Sequence, residues 1–168
     1  MSKLFRIYVR PSLEYGSEIF NPTGIGLTKL LEHLQKVFTR LLLHRPGVSR
    51  IPYVDRIRHL NLDSLELRRA RTDLLTTYKI LTGHIDLNRF NIFQFPHRVN
   101  ERKHHQFTLQ APRLKKKKER NFFPYRVITN WNNLPIKEIN RITSLQQFRT
   151  FLDNAPTNLI LPTPVFPY

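Results

Sequence analysis

The chain has 168 residues, 40% of them apolar, and its 28 Lys and Arg outnumber 12 Asp and Glu to leave a formal net charge of +16. By length this is about one domain, able to bury roughly two-thirds of its unfolded surface, so disorder throughout is not expected. The absence of Cys excludes disulfides, thiolate zinc sites, iron–sulfur clusters and a cysteine nucleophile together. The longest apolar runs, such as Leu41-Leu42-Leu43, fall far short of the ~18 residues that cross a bilayer, and no membrane span is expected. The opening Met1-Ser2-Lys3-Leu4-Phe5-Arg6 lacks the apolar stretch of a secretory leader, so secretion is not expected and nucleus or cytoplasm stays open. So basic a chain suits nucleic acid first; an anionic surface, an acidic protein partner, or a solvated basic surface without a ligand are the other readings.

Taken in order, Leu4, Tyr8, Pro11, Tyr15 and Ile19 keep helical spacing, but Pro11 lacks a donor and crowds the previous turn. A helix kinked or broken near Arg10 is expected. From 27 to 42 the apolar residues Leu27, Leu30, Leu31, Leu34, Val37, Phe38, Leu41 and Leu42 follow a 3.6-residue period, with Lys29, Glu32, His33, Lys36 and Arg40 opposite. This predicts an amphipathic helix with Leu34 and Phe38 in the core, closed by Arg45-Pro46-Gly47. Residues 52–60 read as a short helix with Pro52 at its first position. A further helix over 63–83 is bounded by Asp63 with Glu66, a capping-box pattern, and by Gly83 as a stop. Its predicted buried stripe is Leu67, Ala70, Leu74, Tyr78 and Leu81, while Arg68, Arg71, Leu75 and Lys79 share another face.

From 93 to 112 the pattern becomes alternating, as in Phe93-Gln94-Phe95 and Gln106-Phe107-Thr108-Leu109-Gln110, which suits short strands or extended segments. Phe123, Val127 and Trp131 at four-residue intervals, with Ile128 beside them, predict a short aromatic helix ending near Leu134-Pro135, with Trp131 in the core. Thr143 with Gln146, or Ser144 with Gln147, caps a last helix whose stripe is Leu145, Phe148 and Leu152. Pro156, Pro162, Pro164 and Pro167 then suggest an extended or disordered tail. The expected architecture is mainly α: a helical, thumb-like bundle over 1–92, a basic extended connector over 93–120 with short strands as an option, a C-terminal helical pair over 121–155 and a Pro-rich tail over 156–168.

Segment 97–120 holds nine Lys or Arg against Glu101 and Glu119, a net +7 that is almost half of the chain's excess. Within it Lys115, Lys116, Lys117 and Lys118 are adjacent, flanked by Arg113 and Arg120. Four neighbouring ammonium groups suit a polyanion; a solvated loop or a nuclear localisation signal are the other readings. Phe122, Phe123, Tyr125 and Trp131 follow directly and could stack on bases, although their helical spacing favours core packing. The chemistry of an enzyme is missing. Two-metal phosphoryl transfer needs carboxylates that share ions about 4 Å apart, and here the acids are scattered, with Asp63 read as a cap, Asp73 as a neighbour of Arg69 and Asp153 as helix-end. Gly24-Ile25-Gly26 lacks the remainder of a dinucleotide loop, and no serine sits in a Gly-x-Ser-x-Gly elbow. His97, Glu101, His104 and His105 could be drawn together as a metal site, but the surrounding positive charge repels a cation. No metal or cofactor is expected, and the site expectation is nucleic-acid contact through Arg68, Arg71, Lys79, Arg113, Lys115 to Lys118 and Arg120.

Four phrases in one order carry a resemblance. They are Tyr8-Val9-Arg10-Pro11-Ser12-Leu13-Glu14-Tyr15-Gly16-Ser17 with Asn21-Pro22; Leu62-Asp63-Ser64-Leu65-Glu66-Leu67-Arg68-Arg69 leading to Asp73-Leu74 and Tyr78-Lys79-Ile80-Leu81-Thr82-Gly83; Asn121-Phe122-Phe123 with Arg126-Val127 and Asn130-Trp131-Asn132-Asn133-Leu134-Pro135; and Ser144 with Phe148. Over about 1–155 the chain resembles the C-terminal end of LINE-type, jockey-like non-LTR retrotransposon reverse transcriptases. Phe20 stands where that family usually has Trp before Asn-Pro. The family's catalytic palm, with its Tyr/Phe-x-Asp-Asp turn and partner Asp, has no counterpart here, nor has its fingers region or its endonuclease. The resemblance therefore implies the thumb and the segment beyond it, holding a template–primer duplex of RNA and DNA, or DNA, beside a polymerase palm without polymerase chemistry. The other class of function is a protein-interaction module that docks on a parent polymerase or an acidic partner through exposed apolar surface.

Overall fold

The computed structural model describes residues 2–21, 24–44, 51–97, 105–111, 119 and 121–162. They are mainly helical, with no strand among them. The expected short strands over 93–112 are replaced, in the described part, by irregular chain in which the Gln110 N–H donates to the Gln94 carbonyl at 2.8 Å. Two compact units divide inside one helix, between Arg69 and Ala70, where the sequence suggested a single bundle up to residue 92.

The first unit opens with α1 (Ser2–Leu4), a π-wound turn over Phe5–Val9 and α2 (Arg10–Glu14). Pro11 has no N–H to give, and the expected break becomes a change of winding: the Arg10 N–H reaches back five residues to the Phe5 carbonyl. Gly16, at φ 64°, turns the chain into α3 (Ser17–Phe20). Next come α4 (Ile25–Leu43), α5 (Tyr53–His59) and the start of α6 (Leu65–Leu81), with Asn61 in the left-handed region between the last two. The cap of α6 is Ser64, whose Oγ accepts the Leu67 N–H at 3.1 Å, and not the expected Asp63.

The amphipathic helix α4 is present, but its faces are exchanged relative to expectation. Thr28, Glu32, Gln35 and Thr39 are buried, while Leu27, Leu30, Leu34 and Leu41 are 59%, 63%, 49% and 71% exposed. Leu34 is therefore not core, and Phe38 is half-buried, its ring stacked on Phe5 at 4.3 Å. The inversion works because most of the polar atoms it buries have answering groups, the Gln35 Oε1 being the exception. Thr28 and Thr39 bond carbonyls of their own helix. Gln35 donates to Tyr53 Oη at 3.0 Å and to the Asp63 carbonyl at 2.9 Å. Tyr53 in turn donates to Glu32 Oε1, and Glu32 Oε2 accepts the Leu65 N–H at 3.0 Å. Glu32 thus sits at the positive, N-terminal end of α6.

Burial pushes the Glu32 carboxyl above its ordinary range, against the hydrogen bonds from Tyr53, Leu65 and Glu66 and the charge of Arg69. A raised folded-state value means that this stabilisation is complete below the unfolded carboxylate value, about 4.3, and is lost as pH rises through the folded one. Glu32→Gln should gain stability relative to the original chain as pH climbs through that window and hold the gain above it, while Glu32→Ala, which strands the Tyr53 hydroxyl and the Leu65 N–H, should cost about 1–3 kcal/mol. Urea unfolding midpoints of the three chains between pH 4 and pH 8 check both; a Gln-minus-original difference that does not grow with pH would overturn the assignment.

In the second unit the remainder of α6 ends at Gly83, φ 76°, where the His84 N–H bonds the Lys79 carbonyl and the Gly83 N–H that of Ile80. It is followed by α7 (Arg89–Ile92), α8 (Phe123–Asn132), α9 (Ile136–Arg141), α10 (Leu145–Asn154) and α11 (Thr157–Ile160). Most of the expected stripes hold here: Leu74, Tyr78 and Leu81 of α6, Val127, Ile128 and Trp131 of α8, and Phe148 and Leu152 of α10 are buried, while Ala70, Phe123 and Leu145 are half-buried. Tyr78 stacks on Phe148 at 4.4 Å, and Trp131 lies 5.8 Å from the same ring. Ser144 caps α10 by accepting the Gln147 N–H. The expected tail is in part structured, since α11 buries Ile160 and its carbonyl accepts from Asn130 Nδ2 at 3.1 Å.

Candidate nucleic-acid interface

The expected site residues fall into two groups. Arg113, Lys115, Lys116, Lys117, Lys118 and Arg120 lie outside the described residues, as do Glu101 and His104. Arg68, Arg71 and Lys79 are on α6, each half-buried. Arg68 is engaged at home: its guanidinium grips both oxygens of Glu14, with Nη2 3.0 Å from Oε2, and Arg10 approaches the same carboxylate at 3.8 Å. A neighbouring guanidinium and burial both lower the Arg10 value, burial more strongly. Arg68 can meet phosphate only at the expense of the Glu14 pair.

Several residues of the four phrases meet one another. In the first unit Arg68 pairs with Glu14, and Arg69 Nη2 donates to the Leu13 carbonyl at 3.3 Å. In the second, Asp73 forms a bidentate pair with Arg126, at 2.8 Å from Nε and 2.7 Å from Nη2. Asp73 therefore answers Arg126 on α8 in this pair. The Asn130-Trp131-Asn132 run is a clasp. Trp131 Nε1–H donates to the Phe107 carbonyl at 2.8 Å, and the Asn132 amide both donates to the Leu109 carbonyl and accepts its N–H, at 2.7 and 3.0 Å. These bonds hold 105–111 against α8, next in sequence to the basic run.

His105 is part of this clasp. Its ring is fully buried, edge-on to Trp131, and Nε2 lies 3.0 Å from the Trp131 carbonyl, which can only accept, so Nε2 carries the proton. His97 is exposed, and among the described residues no group of three or more His, Asp or Glu is placed to hold a metal ion. No helix among them is long and apolar enough to cross a membrane. Of the four aromatics that follow the basic run, Trp131 is core and Phe123 packs 6.1 Å from Phe93, whereas Phe122 is 61% and Tyr125 37% exposed. Phe122 and Tyr125 are thus the two able to present a ring face to a base. Sequence reasoning passed over Lys137 and Arg141, exposed one turn apart on α9, and Arg149, exposed on α10. Their i, i+4 spacing was the available signal, masked by the stronger charge of the Lys run.

Over 81 residues the chain is 40% identical to a Caenorhabditis elegans protein named Uncharacterized protein B0403.1, a match that takes in 48% of this chain and 41% of that protein. The chain thus spans about two-fifths of that relative's length. No family model and no solved structure matches it.

Proposed function

We propose that the chain is a non-catalytic nucleic-acid-binding piece of the kind that follows the palm in LINE-type reverse transcriptases, gripping a template–primer duplex by its phosphates without reading its sequence. The observation that carries this reading is the charge: +16 overall, with a net +7 in 97–120. Phe122 and Tyr125, exposed next to that segment, and Lys137, Arg141 and Arg149 are consistent with it. Counterion release makes log K fall with log[salt] by roughly 0.9 per phosphate neutralised on duplex DNA, so replacing Lys115 to Lys118 together by Gln should flatten the slope by up to about 3.6 units. Sequence preference should hardly alter, because phosphate contacts position a protein without specifying bases. Duplex binding across a salt series for the original and four-Gln chains is the test. An unchanged slope would mean that the run is solvated or serves localisation.

The second reading, a module that docks on a parent polymerase or an acidic partner, is favoured by one observation: the leucines of α4 face outward.

A further inference from the structure

Helix α4 carries three stripes. The buried one is Thr28, Glu32, Gln35 and Thr39. The second, at successive steps of 3, 4, 3 and 4, is Leu27, Leu30, Leu34, Val37 and Leu41, four of them exposed and Val37 half-buried. That spacing is the seam of a two-stranded coiled coil, two heptads and about 21 Å long at 1.5 Å per residue. The third stripe, between the leucines and the buried face, is basic: Lys29, His33 and Arg40 are exposed and Lys36 half-buried. On the far flank Leu31 and Phe38 are half-buried, Phe38 beneath Phe5. A helix built in this way has its polar face turned into its own unit and an apolar seam left to be covered from outside.

We propose that the seam of α4 docks an amphipathic helix of a partner protein that lays an apolar stripe on Leu27, Leu30, Leu34 and Leu41 and sets carboxylates opposite His33 and Arg40. This deepens the docking reading and rests on it; it is independent of duplex binding. Charge selects the occupant. With Leu27, Leu34 and Leu41 at the first heptad position, His33 and Arg40 occupy the flanking position on one side and Leu31 and Phe38 that on the other. A second copy of this chain would set His33 and Arg40 against each other if antiparallel, or against Leu31 and Phe38 if parallel, and offers no carboxylate in either case. An acidic helix answers the basic stripe in register and fills the apolar one.

The test uses the full chain and three 21-residue helical peptides: one with Leu on its seam and Glu on both flanks, one with the same Glu but Ser on the seam, and one with the Leu seam and Lys flanks. At 150 mM salt the first should bind, and the other two at least tenfold more weakly. The Leu30→Ser/Leu34→Ser chain, changed only at exposed positions, should lose at least tenfold for the first peptide while binding duplex like the original. Arg40→Glu should weaken the acidic peptide and strengthen the Lys-flanked one. Equal binding of the Leu-seam and Ser-seam acidic peptides would reduce the effect to net charge and overturn the proposal. Acidic-peptide binding unaffected by Leu30→Ser/Leu34→Ser would overturn the assignment to α4 while leaving a docking module elsewhere on the chain. No binding of any peptide, with duplex binding intact, would overturn the docking reading together with this one. Self-association in sedimentation that Leu30→Ser/Leu34→Ser abolishes, or binding to phosphatidylserine vesicles that the same variant loses while no peptide binds, would assign the face to a second copy or to a lipid surface and overturn it as well.

Discussion

Trp131→Ala should be among the most damaging single substitutions in the second unit, at about 3–5 kcal/mol. The indole is fully buried, lies against Phe148 and His105, and donates its N–H to the Phe107 carbonyl at 2.8 Å. Removing it leaves a large cavity and strips a carbonyl of its donor, so the packing and hydrogen-bond losses act together. Phe38→Ala, at a half-buried ring resting on Phe5, should cost clearly less, where the periodicity alone suggested equal losses. Urea unfolding of the two variants, both followed by circular dichroism, gives the comparison, since the one tryptophan of the chain lies in the second unit and Phe38 in the first. Equal losses, or a loss under about 1 kcal/mol at Trp131, would overturn the description of this core.

The second large effect is at Asp73 and Arg126, whose side chains are 8% and 6% exposed and joined by two short bonds. Charges this far from water are held by each other, and taking one away leaves the other desolvated without its counter-charge. Arg126→Met should therefore cost about 3–5 kcal/mol, whereas Arg126→Met combined with Asp73→Leu should recover most of it, since a well-packed apolar pair is often as stable as a buried ionic one. Thermal and urea unfolding of the single and double variants measures the coupling. Additive losses in the double variant would show that the two side chains act separately. The Arg126 guanidinium also bonds the Asn121 carbonyl at 3.1 Å, so the single variant should loosen the start of α8, next to the basic run.

The candidate site was legible in outline and less so in detail. The basic run and the cations of α6 are visible as composition, because charge needs no neighbour to be recognised. That Arg68 is committed to Glu14 is not visible, since the two are 54 positions apart and the pairing depends on the fold bringing α2 to the start of α6 within the first unit. The exposed rings Phe122 and Tyr125 share a segment with the half-buried Phe123 and the buried Trp131, and only helix phase in three dimensions separates those that pack from those that face solvent.

Helix positions are local matters, and they followed from the residues: periodicity and the Gly83 stop place α6 within two residues at each end, the aromatic spacing finds α8, and the Ser144–Gln147 cap finds the start of α10, because each signal acts within one turn of backbone. Which face of α4 turns inward was decided by tertiary structure. Periodicity defines two faces but is silent about what lies against them, and apolar burial is the default only while polar groups have no partners inside. Here the partners come from 18, 28 and 33 positions along the chain: the Tyr53 hydroxyl, the Asp63 carbonyl and the Leu65 N–H. With the Gln35 amide nitrogen and the Glu32 carboxylate answered in this way, the polar stripe packs and the leucines of α4 are left to the outside.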